Sequence, residues 1–200
     1  MTSRMTSPWH AENGTAVAQD QDLWSLRGLP GFDIVRAGCA QETEIAWQAM
    51  QDRPERPVGI VRSYARLTVE SEIDPLQFNG ASRGGYVLVE AQGGSPAAIV
   101  IGSGRQLQTA VTAAAELETE GVPTRVVSMP CVDWFVEQSL AYRLLVLPAK
   151  VGSRVSIGDH VSAAGRNLVG DRGECLSLVH SADDIVAATW QILARQAAFH

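Results

Sequence analysis

The 200-residue sequence has no surplus of basic residues: 16 Lys and Arg stand against 22 Asp and Glu, for a formal charge of −6. That deficit excludes nucleic acid as the main partner, because nothing is in place to displace phosphate counterions. No apolar run approaches the length of a membrane span. The opening MTSRMTSPWH contains no apolar stretch that could serve as a secretory signal, so a cytoplasmic protein is expected. Cysteine is scarce, with Cys39, Cys131 and Cys175 showing neither a CxxC nor any metal-ligand spacing. Reduced thiols acting as small core residues fit that pattern. Internal repeats and low-complexity tracts are also missing. What is present is an ordinary globular composition, 46% apolar and 19% charged, with mean hydropathy near zero. A chain of this length buries a core without disulfide or metal staples.

Residues 1–20 are polar and aperiodic and read as a loose tail. Residues 21–65 read as a partial α/β domain. A short helical piece over 23–29 is followed by a strand over 32–37 (FDIVRA). An amphipathic helix over 39–52 comes next, with Ala40, Ile45, Ala46 and Met50 on one side and acids near its start, and then a strand over 58–64. Residues 66–83 carry turn signals with little periodicity and suit a linker. The second unit, 84–200, places strands at 84–91 and 96–104. A helix over 105–121 turns Leu107, Ala110, Val111, Ala114 and Leu117 to one face and stops at Gly121. A strand at 123–130 completes a βαβ unit, which demands parallel pairing and a right-handed crossover. A helix over about 132–144 follows, with Val132, Phe135, Val136 and Leu140 inward. Strands at 153–159 and 173–180 come after it. The last helix, 182–198, carries Val186, Trp190, Leu193 and Ala197 at 4,3,4 spacing. The expected fold is α/β with a mainly parallel sheet.

The stretch GVPTRVVSMPCVDWFVEQ (121–138), with GGYVL before it and AYRLLVLP behind it, resembles the C-terminal domain of transketolases, as do SRVSIGD and VGDRGECLSLVH. Upstream, LWSLRGLPGFDIVRAGCAQETEIAW is similar to the last third of the transketolase middle, pyrimidine-binding domain. The resemblance covers about residues 12–198. It implies an enzyme family that uses thiamine diphosphate with Mg²⁺ or Ca²⁺ to move a two-carbon ketol unit between sugar phosphates, the chemistry belonging to the cofactor. In that family the diphosphate and metal sit on an N-terminal domain, and the C-terminal domain serves mostly dimer structure. Neither the cofactor domain nor the Gly-Asp-Gly metal motif occurs in this sequence. The chain is therefore expected to be inactive alone, with thiamine diphosphate and Mg²⁺ entering only if a partner chain supplies the missing domains. Possible partners are a second copy or a separately encoded transketolase N-terminal chain, with no nucleic acid and no membrane. The alternative is a non-catalytic interaction module.

The same resemblance marks departures. Where the family has a sugar-contacting aspartate and histidine, this chain has Asn13 and Val17, and valine can neither donate, accept nor titrate. A further family histidine falls at Met5, with His10 nearby but out of register. The family's phosphate-holding Ser-Arg pair reads Ser63-Tyr64, flanked by Arg62 and Arg66, and tyrosine lacks the guanidinium fork. After Ser177-Leu178-Val179-His180 the chain runs straight into Ser181-Ala182-Asp183-Asp184, where the family has a further helix and loop, which predicts exposed apolar surface or repacking. No catalytic, cofactor, substrate or metal residue is assigned on these grounds. His180 reads as a strand-end histidine with a structural hydrogen bond, and His160 and His200 stand in no constellation. The turn Gly102-Ser103-Gly104 between strand and helix could favour an anion or simply cap the helix. Asp133 and Glu137, one helical turn apart, read as a solvated face.

Overall fold

The structure is a computed structural model and describes residues 10–12, 15–17, 31–63, 66–68, 74–158, 163–177 and 181–198. Within the stretch expected to be a tail, β1 (His10–Glu12) and β2 (Thr15–Val17) pair antiparallel; no periodicity there signalled a strand. The first unit then runs β3 (Asp33–Arg36), α1 (Ala40–Gln51) and β4 (Val58–Val61), and its two strands pair parallel. The 23–29 piece lies outside the described residues.

Within the expected linker, Pro75–Arg83 form a 3-10 helix. It is fixed by a capping box, in which the Asp74 carboxylate accepts the Leu76 N–H and the Gln77 side chain accepts the Asp74 N–H. Gly84 closes it at φ +84°, where an added Cβ would lie 2.2 Å from the Cys131 carbonyl oxygen. Only glycine fits a left-handed turn pressed this closely against another backbone.

The second unit is a five-stranded sheet. Its strands are β5 (Tyr86–Val89), β6 (Ala98–Gly102), β7 (Thr124–Ser128), β8 (Arg154–Gly158) and β9 (Glu174–Ser177), in the order β5-β7-β6-β8-β9. All neighbours are parallel except β5, which runs antiparallel to β7. The helices are α2 (Leu107–Thr119), α3 (Val132–Val136), α4 (Leu140–Val146), α5 (Ala163–Val169) and α6 (Ala182–Ala197). Strand alternation sorts the core into two layers. Ala98 and Val100 of β6 turn toward α2 and α6, with Leu107, Leu117, Ile185 and Ile192. Ile99 and Ile101 turn the other way, toward Phe135, Val146 and Leu168 on α3, α4 and α5. The five residues expected inward on α2 are all buried.

Three expected helix faces are corrected. The helix read over 132–144 is two helices, because Ser139 caps a new start and accepts the Tyr142 N–H. Phe135 stays buried, but Val136 and Leu140 are 47% and 62% exposed. On α6 the buried face is Ile185, Ala188, Thr189 and Ile192, one residue away from the expected phase, and Trp190 points outward. On α1 the buried positions are Glu42, Ala46 and Ala49, while Ala40 is exposed and Ile45 and Met50 are half-buried. Helix α5 was not anticipated at all. Among the described residues no helix is long and apolar enough to cross a membrane.

Candidate functional site

One cluster of buried polar side chains lies where the two units meet. Glu42 sits in the first turn of α1 and is fully buried. Its Oε2 accepts the Gly38 N–H at 2.6 Å, and its Oε1 accepts the Tyr86 hydroxyl from β5 at 2.7 Å and the Ser128 hydroxyl from β7 at 2.5 Å. Burial pushes the Glu42 carboxyl above its ordinary range, against the pull of these three donors. Burial and the adjacent Glu42 push the neighbouring Cys39 thiol up to about 11 and also raise the Tyr86 phenol. The enclosure is complete, so this cluster joins the units and offers no reacting group to a substrate. Its sequence signal was Glu42 in phase with Ala46 and Ala49, at 4,3 spacing, on the apolar side of the helix.

A second contact lies beside it. Trp134 of α3 is fully buried among Val35, Ala46 and Ile60, and its indole N–H donates to Asp33 Oδ2 at 2.8 Å. Arg53 stacks over its ring at 4.7 Å. Arg56 bridges Asp33 and Glu137, and Arg53 also binds Glu137 at 2.9 Å. Burial alone would raise the Glu137 carboxyl, but hydrogen bonds and charge from Arg53 and Arg56 outweigh it and hold the carboxyl low. Glu137 is thus tied to the first unit.

The turn at Ser103-Gly104 is a third feature. In the strand order, β7 and β8 flank β6 on opposite sides, and the carboxyl ends of β6 and β8 border the crevice where α/β sheets hold ligands. Gly104 has φ +57°, and Arg36 from the end of β3 packs against it. A Cβ on Gly104 would lie 3.5 Å from Arg36 Nη2, and one on Gly158 would lie 3.7 Å from Ser103 Oγ. The first turn after Ser103 is 3-10, and Ser103 does not cap it through its side chain. The sequence marked the glycines; it did not foretell Arg36.

Several flagged positions are dispersed or beyond reach. Ser63 is structural, exchanging hydrogen bonds with Thr43 and donating to the Gly38 carbonyl. Arg62 and Arg66 are exposed. Val17 and His10 lie on β2 and β1. Met5, Asn13, Tyr64, His160, His180 and His200 lie outside the described residues.

Residues 84–181 match the family described as the transketolase-like TK C-terminal domain. They are a transketolase C-terminal domain. Transketolase of Mycobacterium tuberculosis is 37% identical over 175 residues, covering 84% of this chain and 25% of that protein. Transketolase of Mycobacterium leprae is 35% identical over 195 residues, covering 94% and 27%. This chain therefore spans about a quarter of the curated transketolases it matches. Among solved structures, transketolase from Leishmania mexicana superposes at TM-score 0.72 with 23% identity, over 88% of this chain and 27% of that one. A structure described as a split gene transketolase, an inactive beta4 tetramer, superposes at 0.60 with 20% identity, over 90% of this chain and 65% of that one. At these identities the two structures show the fold. The transketolase family implies thiamine diphosphate and a divalent metal. Among the described residues no group of three or more His, Cys, Asp or Glu could hold a metal ion, and the buried Glu42 is consumed by its own donors.

Proposed function

We propose that this chain is the C-terminal subunit of a transketolase assembled from separate chains, working in the cytoplasm and inactive alone. The observation that carries the reading is a transketolase C-terminal domain at residues 84–181 in a chain whose fold covers 65% of a split-gene transketolase. The split-gene transketolase of similar fold supports it, since that protein divides the enzyme between genes and its beta4 form is described as inactive. In this reading a partner chain binds thiamine diphosphate and Mg²⁺, and the present chain contributes a packed wall, with no catalytic side chain of its own. A purified sample of the chain, given thiamine diphosphate, Mg²⁺, a ketose phosphate and an aldose phosphate, shows no ketol transfer. Co-expression with the products of neighbouring genes yields a thiamine-diphosphate-binding chain in the same complex, and activity with it. Transfer by the chain alone overturns the proposal. A second reading, a non-catalytic interaction module, is favoured by Val17 at the position of a family sugar ligand; it gains if no cofactor-binding chain co-purifies.

A further inference from the structure

Strands β6 and β8 part before they end. Their parallel ladder stops at Ile101 opposite Ser156, whereas β6 pairs with β7 as far as Gly102 and β8 pairs with β9 as far as Gly158. The gap lies at the switch point of the sheet, because β7, the next strand after β6, is on one side of β6 and β8 is on the other. Open α/β sheets take ligands there. Ser103 and Gly104 cross the rim of this gap. Among the described residues no acceptor meets the N–H of either, and the Ser103 hydroxyl does not cap the following turn. Gly158 faces them from β8 without a side chain: a Cβ there would lie 3.7 Å from Ser103 Oγ and 3.9 Å from Arg36 Nη1. Gln106 stands one turn before Ala110 and two before Ala113, on the face of α2 buried in one cluster with Val100, Val155 and Ile157 of β6 and β8. Side chains lean toward the N-terminus of their helix, so Gln106 leans back over Ser103 and Gly104, into the gap. It is 9% exposed, and its Oε1 is buried with no hydrogen-bond partner. A buried acceptor left without a donor is destabilising, and a donor carried by a ligand removes that penalty.

We infer that this gap binds a small phosphate monoester that carries a hydroxyl beside its phosphate. Two unpartnered N–H groups on the N-terminal side of a 13-residue helix favour an oxyanion. Arg36 adds positive potential at the same rim, its Nη2 lying 3.5 Å from the Cβ position of Gly104. The turn holds no lysine, which a loop for a triphosphate requires, so a single phosphate is what it fits. Ser103 Oγ donates to the phosphate, and Gln106 Oε1 accepts the ligand's hydroxyl. Glycine at 158 keeps the gap open. The site is independent of the proposed function, since every group in it belongs to this chain.

Titration of the full chain with glycerol 3-phosphate, inorganic phosphate and glycerol tests it, read by calorimetry and by amide NMR shifts. Glycerol 3-phosphate is expected to bind with a dissociation constant on the order of 0.1–1 mM, inorganic phosphate about tenfold more weakly, and glycerol not at all. The largest shifts fall on Ser103 and Gly104. Gln106→Met keeps the volume, removes the buried acceptor without lowering Tm, and cuts the preference for glycerol 3-phosphate over phosphate to about twofold or less. Gly158→Ala, whose methyl meets its neighbours only at ordinary contact distances, keeps its Tm and weakens both phosphate ligands at least about tenfold. A wild-type chain that gives no heat up to about 10 mM glycerol 3-phosphate overturns the proposal. So does equal affinity for the two phosphates, binding that both variants retain unchanged, or a set of shifts that maps to another part of the chain. Should a variant misfold, the shift map of the wild-type chain decides alone.

Discussion

Replacing Glu42 with glutamine exchanges a titrating buried carboxyl for a neutral amide of nearly the same shape. Burial raises the carboxyl's pKa in the folded chain above its ordinary 4.5, so above that value the folded state binds more protons than the unfolded one. Stability contributed by the protonated carboxyl is complete at or below the ordinary pKa and is lost as pH rises through the folded one. Within that window the wild type loses up to about 1.4 kcal/mol for each pH unit relative to a chain without the group. Glutamine removes this slope but brings its own cost. Three donors, from Gly38, Tyr86 and Ser128, point at the carboxyl, and an amide nitrogen cannot accept any of them. One bond is lost, at about 1–3 kcal/mol. The two stability curves therefore converge with rising pH: Glu42→Gln is weaker near the acid end, and the gap closes or reverses toward alkaline pH. Urea unfolding of both proteins at matched pH values, read as the difference in midpoint, measures this. A gap that stays constant within about 0.5 kcal/mol, or one that widens as pH rises, refutes burial as the dominant influence on Glu42.

Trp134→Ala opens a cavity between the units and lowers unfolding free energy by about 3–5 kcal/mol, whereas Trp134→Phe keeps most of the volume and costs about 1–3 kcal/mol through the lost bond to Asp33; urea melts separate the two. Gly84→Ala forces a Cβ to 2.2 Å from the Cys131 carbonyl at φ +84° and destabilises by several times the cost of Gly93→Ala, which has positive φ but nothing within 4 Å and costs about 1 kcal/mol; thermal melts of both test the crowding. Burial holds the Cys39 and Cys131 thiols protonated, so at neutral pH iodoacetamide labels half-buried Cys175 first and reaches the other two only on unfolding, as mass spectrometry of native and denatured samples will show.

Most elements of the second unit were legible from local pattern, α5 excepted. Short strand-like runs bounded by turn residues marked β6 and β7, and the 3,1,3,3 spacing marked α2. The α3–α4 region was read as one helix because Val132, Phe135, Val136 and Leu140 satisfy a continuous helical repeat. A serine that caps a new start is chemically indistinguishable, in sequence, from one that sits mid-helix. The family was readable from one stretch, but the contacts that join the units were not. Trp134 and Asp33 are 101 residues apart, and Glu42 meets Ser128 across 86; no local pattern encodes partners at that distance. Arg36 beside Ser103-Gly104 was missed for the same reason. The turn's glycines are a local signature, while the arginine comes from another unit.

That separation between Trp134 and Asp33 also bears on how the chain is born. During synthesis β3, α1 and β4 leave the ribosome well before α3, yet their core is completed by Cys131 and Trp134. At ordinary elongation rates the 101 residues between Asp33 and Trp134 take about 5–20 s to make. For that interval Val35, Ala46 and Ile60 lack the Trp134 that covers them in the finished fold, and such transiently exposed apolar surface is prone to aggregation. The first unit is first in sequence but is not finished until α3 has been made.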